Sequence, residues 1–480
     1  MIWRQSVVRT QGWWAQMNQI PVQVRSFLLS AVKRLGIPQS LPLTLPAPEN
    51  AADELIRLCD VLLARRGEPW AATTAGEVLA GYRAASQDER NRFLAVLAQS
   101  YNADALRLDK AIAAYQLQRN AASMAEIHAA SESRRQHLIH ELNLAPGGTL
   151  MLLRMREDGL RNRQAIPDFD ALDADFREVL GSWFNHGFLT LKRIDWSSPA
   201  AVLRKIIEYE AVHEIKDWED LRRRVEPPDR RCYAFFHPQI PEEPLIFVEV
   251  ALTSEVPTSV QALLDDKRNP LPTSFANTAV FYSISNCQDG LRGVPFGSFL
   301  IKQVAELLKS ELPGIKTFVT LSPIPTFSSW LERERKQETS DLILDAERPA
   351  LAALNQENWP DNEEMRAALT AIAARFFLNV RSKDKRPYDT VARFHLGNGA
   401  ELANIHWMAD VSPRGLKQSY GLMVNYLYDL KHIERNQTAL EVRGEVAASG
   451  AVQKLARAGV APHERLLSFL RHPTEPQPEA

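Results

Sequence analysis

The sequence predicts an α+β protein, with an all-α helical bundle over residues 1–187 and a mixed α/β domain over residues 188–472. Two observations support this division. Apolar residues recur at helical spacing before residue 187, and short apolar runs alternate with helical segments after it. A chain of 480 residues is also too long for one ordinary core. Residues 473–480 are rich in Pro and Glu, which predicts a disordered tail.

Helix signals recur through the first half of the chain. Residues 51–66 carry apolar side chains at helical spacing, and Ser86 precedes Glu89 by three residues, the pattern of a capping box. Residues 103–140 contain neither Pro nor Gly and predict one or two long helices. Residues 168–184 predict another amphipathic helix. Because this half contains little that resembles chemistry, we expect it to be architectural and to pack on the second domain or on another subunit.

The second half predicts a strand–helix–strand unit. Residues 245–252, 278–284 and 316–321 are apolar and rich in β-branched and aromatic side chains, as strands are. A helix is expected over residues 298–311, between the last two of these strands.

Two more short strands are expected over residues 394–396 and 403–408, around a tight turn at Asn398-Gly399. His395 would then lie near a strand end, where functional residues gather. A hydrogen-bonded core histidine is the commoner explanation of such a residue. Two other histidines remain alternatives as candidate catalytic residues: His213 and His406.

The composition excludes several functional classes. The net charge is −2 with both signs mixed, which favours neither nucleic acid nor an anionic membrane as a partner. Cys59, Cys232 and Cys287 are odd in number and far apart, so we predict neither a disulfide framework nor a zinc site, and expect a reducing cytoplasm. No His, Cys, Asp or Glu cluster has metal-ligand spacing, so no metal is predicted. The chain carries no membrane-length apolar run, no signal pattern and no peroxisomal Ser-Lys-Leu ending.

Charged residues at two places allow two explanations each. Residues 222–224 are three arginines, and Arg230 and Arg231 follow. They are expected to form a solvated loop face, with a patch that attracts a phosphorylated ligand as the alternative. Glu249 interrupts an apolar strand and is expected to face outward, with a buried and paired carboxylate as the alternative.

A glycine-rich segment, residues 288–298, separates the predicted strand 278–284 from the helix that follows; we call it the glycine loop. Gly290, Gly293 and Gly297 allow sharp backbone turns and a close approach to a ligand. The N–H groups at the start of the next helix favour an anion such as a pyrophosphate. The spacing of the glycines in the glycine loop fits neither a Walker motif nor a Rossmann fingerprint.

Ser322 ends the third predicted strand and is followed by Pro323 and Pro325. Proline continues neither a sheet ladder nor a helix, so the chain must turn here. A serine at such a turn is held in a fixed position and can face a cleft, although most serines in this setting are plain turn residues. No Gly-x-Ser-x-Gly elbow surrounds Ser322, which argues against an α/β-hydrolase.

Over residues 188–430 the chain resembles the malonyl-CoA decarboxylase family, and the glycine loop resembles the pyrophosphate loop of GNAT acyltransferases. The order and spacing of several segments carry the resemblance: 209–213 with 230–233, 243–253, 281–302, 321–325, 394–399 and 407–426. The resemblance implies a GNAT-like catalytic domain behind a helical domain that mediates oligomerisation, as a dimer or tetramer. It also implies conversion of malonyl-CoA to acetyl-CoA and CO2 without a dissociable cofactor, in a bacterial, cytoplasmic member.

The resemblance also assigns site residues. The family's catalytic serine falls on Ser322 and its catalytic histidine on His395. Its acyl-CoA loop falls on seven residues: Arg292, Gly293, Val294, Pro295, Phe296, Gly297 and Ser298. One departure is visible, because some relatives carry a glutamate where this chain has Pro295, so a loop carboxylate is not available here.

We expect His395 to protonate the enolate left by CO2 loss and Ser322 to position the malonyl carboxyl group or accept its proton, although the two roles could be reversed. Two other classes remain open. A GNAT-type acyltransferase would use the same loop and need an amine acceptor. A non-catalytic acyl-CoA sensor would bind malonyl-CoA without turnover.

Overall fold

The computed structural model describes residues 50–64, 70–185, 187–294, 300–355 and 359–459, and from Leu55 onward these belong to one compact unit. The predicted helical character of residues 1–49 and the predicted disordered tail lie outside the described residues. The first part of the described chain is helical, with elements α1 Ala51–Ala64, α2 Ala71–Ala84, α3 Gln87–Ser100, α4 Ala105–Leu117, α5 Ala121–Ser131, α6 Arg134–Leu142, α7 Gly148–Arg161 and α8 Phe169–Trp183.

Helix caps explain where the helices of this segment begin. The predicted capping box is confirmed, because the Ser86 N–H donates to the Glu89 carboxylate at 2.9 Å while Ser86 Oγ accepts from the Glu89 N–H. The prediction of one or two long helices over residues 103–140 is wrong, since the structure has three. Asn120 and Ser133 break the run, because their side-chain oxygens cap α5 and α6 at 2.9 and 3.1 Å.

The second part of the chain is a mixed α/β domain built on a single sheet. Its strands are β1 Thr190–Ile194, β2 Arg230–His237, β3 Ile240–Thr253, β4 Thr278–Asn286, β5 Thr317–Thr320, β6 Ser322–Pro323, β7 Glu401–His406 and β8 Met423–Leu427. The spatial order is β1-β2-β3-β4-β5-β8-β6, with β7 also paired to β8. Only the β4–β5 pair is parallel among the strands described.

Helices surround this sheet. They are α9 Ala200–Tyr209, α10 Trp218–Val225, α11 Val260–Leu264, α12 Leu300–Glu311, α13 Phe327–Glu334, α14 Arg348–Ala352, α15 Glu363–Asn379, α16 Thr390–Gly397, α17 Pro413–Ser419, α18 Ile433–Arg443 and α19 Gly450–Ala456. The predicted strand–helix–strand unit is therefore confirmed as β4, α12 and parallel β5. No helix among the described residues is both long and apolar enough to cross a membrane.

The candidate site lies on one face of the sheet. The opposite face carries a buried cluster that contains Ala251, Val260, Leu263, Val280, Tyr282, Val319, Leu321, Ala409 and Met423. Because side chains alternate along a strand, Thr320 and Ser322 face the side opposite to Val319 and Leu321. The register of β3 with β4 shifts at Glu249 and Val250, which leaves Tyr282 as a bulge residue. Bulges of this kind are common beside active sites.

The strand predicted over residues 394–396 is wrong, because these residues belong to α16. Asp389 starts this helix: its carboxylate accepts from the N–H groups of Val391 and Ala392 at 2.9 and 3.0 Å. The expected tight turn at Asn398-Gly399 is instead the end of the helix, where Gly399 has a φ of +79°. The following predicted strand is confirmed as β7.

The outward-facing position predicted for Glu249 is also wrong. Glu249 is fully buried, and its carboxylate lies 3.3 Å from the guanidinium of Arg224. Burial raises the pKa of Glu249 to about 8. The alternative explanation, a buried and paired carboxylate, therefore describes Glu249.

The arginine run 222–224 lies on a helix and not on the expected loop. It forms the last turn of α10, and Arg224 is buried with bonds to the carbonyls of His213 and Glu214. Arg230 and Arg231 are buried on β2 and donate to backbone carbonyls. The remaining arginines of the run are exposed and lie near helix carboxylates.

Candidate active site

Ser322 lies on the short strand β6, where it pairs with Val424 of β8. It is 5% exposed, and its hydroxyl donates to Thr320 Oγ1 at 2.9 Å. Thr320 Oγ1 also accepts from the Tyr426 N–H at 3.1 Å. This chain of bonds fixes the Ser322 hydroxyl relative to the backbone of β8.

His395 approaches Ser322 from α16. Its Nε2 lies 3.3 Å from Ser322 Oγ, and its Nδ1 lies 2.8 Å from the hydroxyl oxygen of Tyr428. The two residues that the sequence singled out, 73 positions apart, are therefore hydrogen-bonded neighbours in a buried site.

Aromatic rings hold the imidazole in place. The Tyr426 ring stacks on His395 with centroids 4.6 Å apart and an interplanar angle of 21°. The Tyr428 ring meets Phe281 of β4 edge to face at 6.5 Å. The Tyr426 hydroxyl is buried and has no hydrogen-bond partner among the described residues.

Burial determines the charge of this group of residues. His395 is completely enclosed, and desolvation lowers its pKa to about 3, so the imidazole is neutral near pH 7. Burial also raises the pKa of Tyr428 well above its usual value, so this residue keeps its hydroxyl proton. A neutral imidazole carries one ring proton. Because the Ser322 hydroxyl donates its only proton to Thr320 Oγ1, its contact with His395 requires the ring proton on Nε2, and Tyr428 then donates to Nδ1.

The alternative histidines do not bond to Ser322. His406 Nε2 lies 2.5 Å from Asn425 Oδ1, and Asn425 in turn donates to the Thr320 carbonyl at 2.7 Å. His213 is partly buried near Tyr282, where desolvation lowers its pKa to about 4. His406 is thus linked to the site through Asn425, whereas His213 lies under the bulge of β4.

The described part of the glycine loop contains a single 3-10 turn over Asp289–Leu291. The Arg292 side chain is 69% exposed and pairs with Asp289 at 2.9 Å. Gly293 has a φ of +79°, and Val294 is buried. The predicted loop residues Pro295, Phe296, Gly297 and Ser298 lie outside the described residues.

Three members of the site were not assigned from the sequence: Thr320, Tyr426 and Tyr428. A signal was available, because Thr320 lies two positions before Ser322 and the tyrosines lie two positions apart. This period places each pair on one face of an extended chain. What the sequence did not contain was the pairing of β8 beside β5 and β6.

The site places hydroxyl and imidazole groups in a buried environment. Such groups can bind a carboxylate, stabilise a developing oxyanion and move a proton. No cluster of three or more potential metal ligands occurs among the described residues.

The comparisons with known proteins match both halves of the chain. A family model for the malonyl-CoA decarboxylase C-terminal domain matches residues 187–465, and one for the N-terminal domain of the same family matches residues 101–184. The chain belongs to the malonyl-CoA decarboxylase family. This confirms the predicted resemblance.

Relatives in the malonyl-CoA decarboxylase family include animal and bacterial proteins. The mitochondrial malonyl-CoA decarboxylase of Mus musculus is 34% identical over 408 residues, which is 77% of this chain and 82% of the mouse protein. The goose (Anser anser anser) mitochondrial protein is 38% identical over 347 residues, covering 66% of this chain and 68% of its own.

Crystal structures of malonyl-CoA decarboxylases show the same architecture. The protein from Rhodopseudomonas palustris has 51% identity and a TM-score of 0.79, and that from Agrobacterium vitis has 48% identity and a TM-score of 0.81. Each comparison covers 84% of this chain and 99% of the other. The predicted fold class, a helical segment followed by a mixed α/β domain, is confirmed.

Proposed function

We propose that this chain is a malonyl-CoA decarboxylase that converts malonyl-CoA to acetyl-CoA and CO2, with Ser322 and His395 as its catalytic residues. The single observation that carries the assignment is the buried Ser322–His395 contact of 3.3 Å, in a chain that belongs to this family.

The reaction breaks the bond between the carboxylate carbon and the methylene carbon of the malonyl group. The bonding electron pair moves into the enolate of the thioester, CO2 leaves, and the enolate carbon takes up one proton. A site that replaces water around the carboxylate with fixed dipoles favours this charge movement. The burial of Ser322 and His395 supports such an environment.

His395 is proposed as the proton donor to the enolate carbon. In the free protein it is neutral, because burial lowers its pKa to about 3. A bound malonyl carboxylate places a negative charge near the ring, and a nearby opposite charge favours the charged imidazole. Substrate binding is therefore accompanied by uptake of one proton from solvent by His395. The resulting imidazolium donates that proton to the enolate carbon after CO2 has left.

Ser322 is proposed to orient the malonyl group. Its hydroxyl donates to Thr320 Oγ1 at 2.9 Å in the free protein, and it can turn to donate to a substrate oxygen instead. The part of the glycine loop from Arg292 to Ser298 is proposed to bind the coenzyme A phosphates. Its exposed Arg292 guanidinium and the left-handed backbone at Gly293 support this role.

The test measures CO2 and acetyl-CoA release from malonyl-CoA by the purified protein without added cofactor. Ser322→Ala and His395→Ala are each expected to reduce kcat by about 10²- to 10⁴-fold, the usual contribution of a positioned acid–base group. His432→Ala is the control, because His432 is an exposed histidine paired with Asp429. It should keep wild-type turnover.

Each other outcome points to a different function. Release of free coenzyme A only in the presence of an amine would indicate an acyltransferase. Tight binding of malonyl-CoA without turnover would indicate a sensor. Near-wild-type turnover by His395→Ala would remove the proposed proton donor.

A homo-oligomer and a cytoplasmic location remain part of the proposal. Helix α4 exposes apolar side chains, with Leu106 at 74% and Leu117 at 90% exposure, which supports a contact with another subunit. Light scattering of the purified chain would give the subunit number. The unpaired cysteines, Cys59, Cys232 and Cys287, are buried and are compatible with a reducing compartment.

A further inference from the structure

An arginine of the helical segment reaches into the glycine loop. Arg156 lies on α7 and is 1% exposed. Its guanidinium donates to the carbonyl oxygens of Gly290 at 2.6 Å and Arg292 at 2.7 Å. The Nε–H of the same group donates to Asp173 of α8 at 2.9 Å. One side chain therefore joins two helices of the first half to a loop more than 130 positions away in the sequence.

The backbone of the same loop touches α7 directly. A Cβ atom added to Gly290 would lie 2.3 Å from the carbonyl oxygen of Leu153, closer than any real contact. This glycine is therefore required by the approach of α7 and not by its own backbone angles. The contact is independent of the Arg156 hydrogen bonds, yet it fixes the same turn against the same helix.

The geometry requires an arginine. Two carbonyls and a carboxylate surround the side chain at 2.6 to 2.9 Å, and a planar guanidinium has five donors in a fixed fork that can meet all three. A lysine ammonium is a single point charge and cannot place donors at both carbonyls and at Asp173. Hydrogen bonds from a charged donor are also stronger than those between neutral groups.

We propose that Arg156 is a positioning residue for acyl-CoA binding, so that the helical segment forms part of the substrate site and is not only a scaffold for oligomers. This inference rests on the proposed function of the glycine loop. By holding the Gly290 and Arg292 carbonyls against α7, Arg156 fixes the described part of the loop, on which the proposed ligand-binding residues Arg292 and Gly293 lie. The helical segment thereby sets the affinity for coenzyme A thioesters.

Arg156 should influence binding and not the chemical step. Ser322 and His395 lie on β6 and α16, and their hydrogen-bond partners come from β5 and the end of β8. None of the described contacts of Arg156 involves these elements. A loosened loop therefore raises KM and the Kd for acetyl-CoA while the Ser322–His395 pair keeps its geometry.

The test compares Arg156→Lys with Arg135→Lys in the full chain. Arg135 is the matched control, because it is also a buried arginine of the helical segment, bonded to Asp175 and to the Ala98 carbonyl, but it does not touch the loop. Calorimetric binding of acetyl-CoA is expected to weaken about tenfold or more in Arg156→Lys, the effect of losing one charged hydrogen bond. In Arg135→Lys it should change less than about twofold, even if both variants lose thermal stability.

A second pair of variants leaves Arg156 in place. Gly290→Ala should also weaken acetyl-CoA binding, because its Cβ must push the loop away from Leu153, whereas Gly181→Ala on α8 adds a Cβ into open space and should not. Unchanged Kd values in both Arg156→Lys and Gly290→Ala, or an equal loss in Arg135→Lys, would overturn the inference. A wild-type chain that binds no acetyl-CoA would also overturn it.

These results are separate from the fate of the proposed reaction. If the wild type binds acetyl-CoA but does not decarboxylate malonyl-CoA, the proposed function fails while the loss of affinity in Arg156→Lys still supports the positioning role. If turnover is observed, kcat should stay within about threefold of wild type in Arg156→Lys while KM rises.

Discussion

Tyr428 controls the orientation and tautomer of His395, and removing its hydroxyl should reduce catalysis. The substitution Tyr428→Phe deletes one oxygen atom that lies 2.8 Å from His395 Nδ1. The ring that packs edge to face on Phe281 remains. The perturbation is therefore confined to a single hydrogen bond in a completely buried environment.

The magnitude follows from the burial of the imidazole. Without Tyr428, His395 Nδ1 loses the partner that it has in the present structure. Leaving a buried polar atom unpaired costs about 1–3 kcal/mol, which is about a 5- to 150-fold effect. Because the Tyr428 hydroxyl also selects the tautomer that presents Nε2 to Ser322, we expect most of this cost to appear in kcat.

The assay is steady-state decarboxylation of malonyl-CoA, with thermal unfolding measured on the same samples. Tyr426→Phe is the matched control. Tyr426 is equally buried and stacks on the same imidazole, but its hydroxyl has no hydrogen-bond partner among the described residues. Deleting that oxygen should leave kcat nearly unchanged and leave the unfolding temperature the same or slightly higher.

Equal kinetics for the two phenylalanine variants would refute this reasoning. A wild-type kcat in Tyr428→Phe would mean that His395 needs no partner on Nδ1. A large loss in Tyr426→Phe would mean that the Tyr426 hydroxyl contacts the substrate or a bound water, which its lack of a protein partner would then explain.

Three further predictions follow from buried charges. Because free His395 has a pKa of about 3, the active form must gain a proton with the substrate, and kcat/KM should fall about tenfold per pH unit between pH 6 and 8; a flat profile would indicate a neutral donor. His213 has its pKa lowered to about 4 from an ordinary value near 6.5, so its contribution to stability is complete above pH 6.5 and is lost as pH falls toward 4. Urea midpoints should therefore drop less between pH 7 and 5 in His213→Gln than in the wild type. Arg224→Met removes a buried guanidinium that donates to the His213 and Glu214 carbonyls, and leaving these groups unpaired should cost about 1–3 kcal/mol of unfolding free energy, against about 0–1 kcal/mol for the exposed Arg222→Met. Similar urea midpoints for these two variants would show that the buried bonds of Arg224 add no net stability.

Local signals in the sequence were sufficient for much of the fold. The strands β3, β4 and β5 are short apolar runs rich in β-branched residues, and such runs form strands in most contexts. The capping box at Ser86 involves residues three positions apart, so its hydrogen bonds need no tertiary partner.

Local signals failed where capping or pairing competed with them. The segment around His395 looks like a strand, but the Asp389 cap starts a helix whose last turn carries the imidazole. Glu249 was expected to face solvent because a lone carboxylate is costly to bury. The guanidinium of Arg224 offsets that cost, but it lies 25 positions earlier in the sequence, so the local pattern around Glu249 does not reveal it.

The sequence by itself determined the fold class and, through the family resemblance, singled out the two proposed catalytic residues. Only the tertiary structure decided that these residues touch, that Tyr428 and Tyr426 enclose the imidazole, and that Arg156 holds the glycine loop. The physical reason is distance along the chain: the deciding contacts join residues from 31 to 136 positions apart. Such contacts depend on how the strands and helices pack together, and a local pattern does not contain that information.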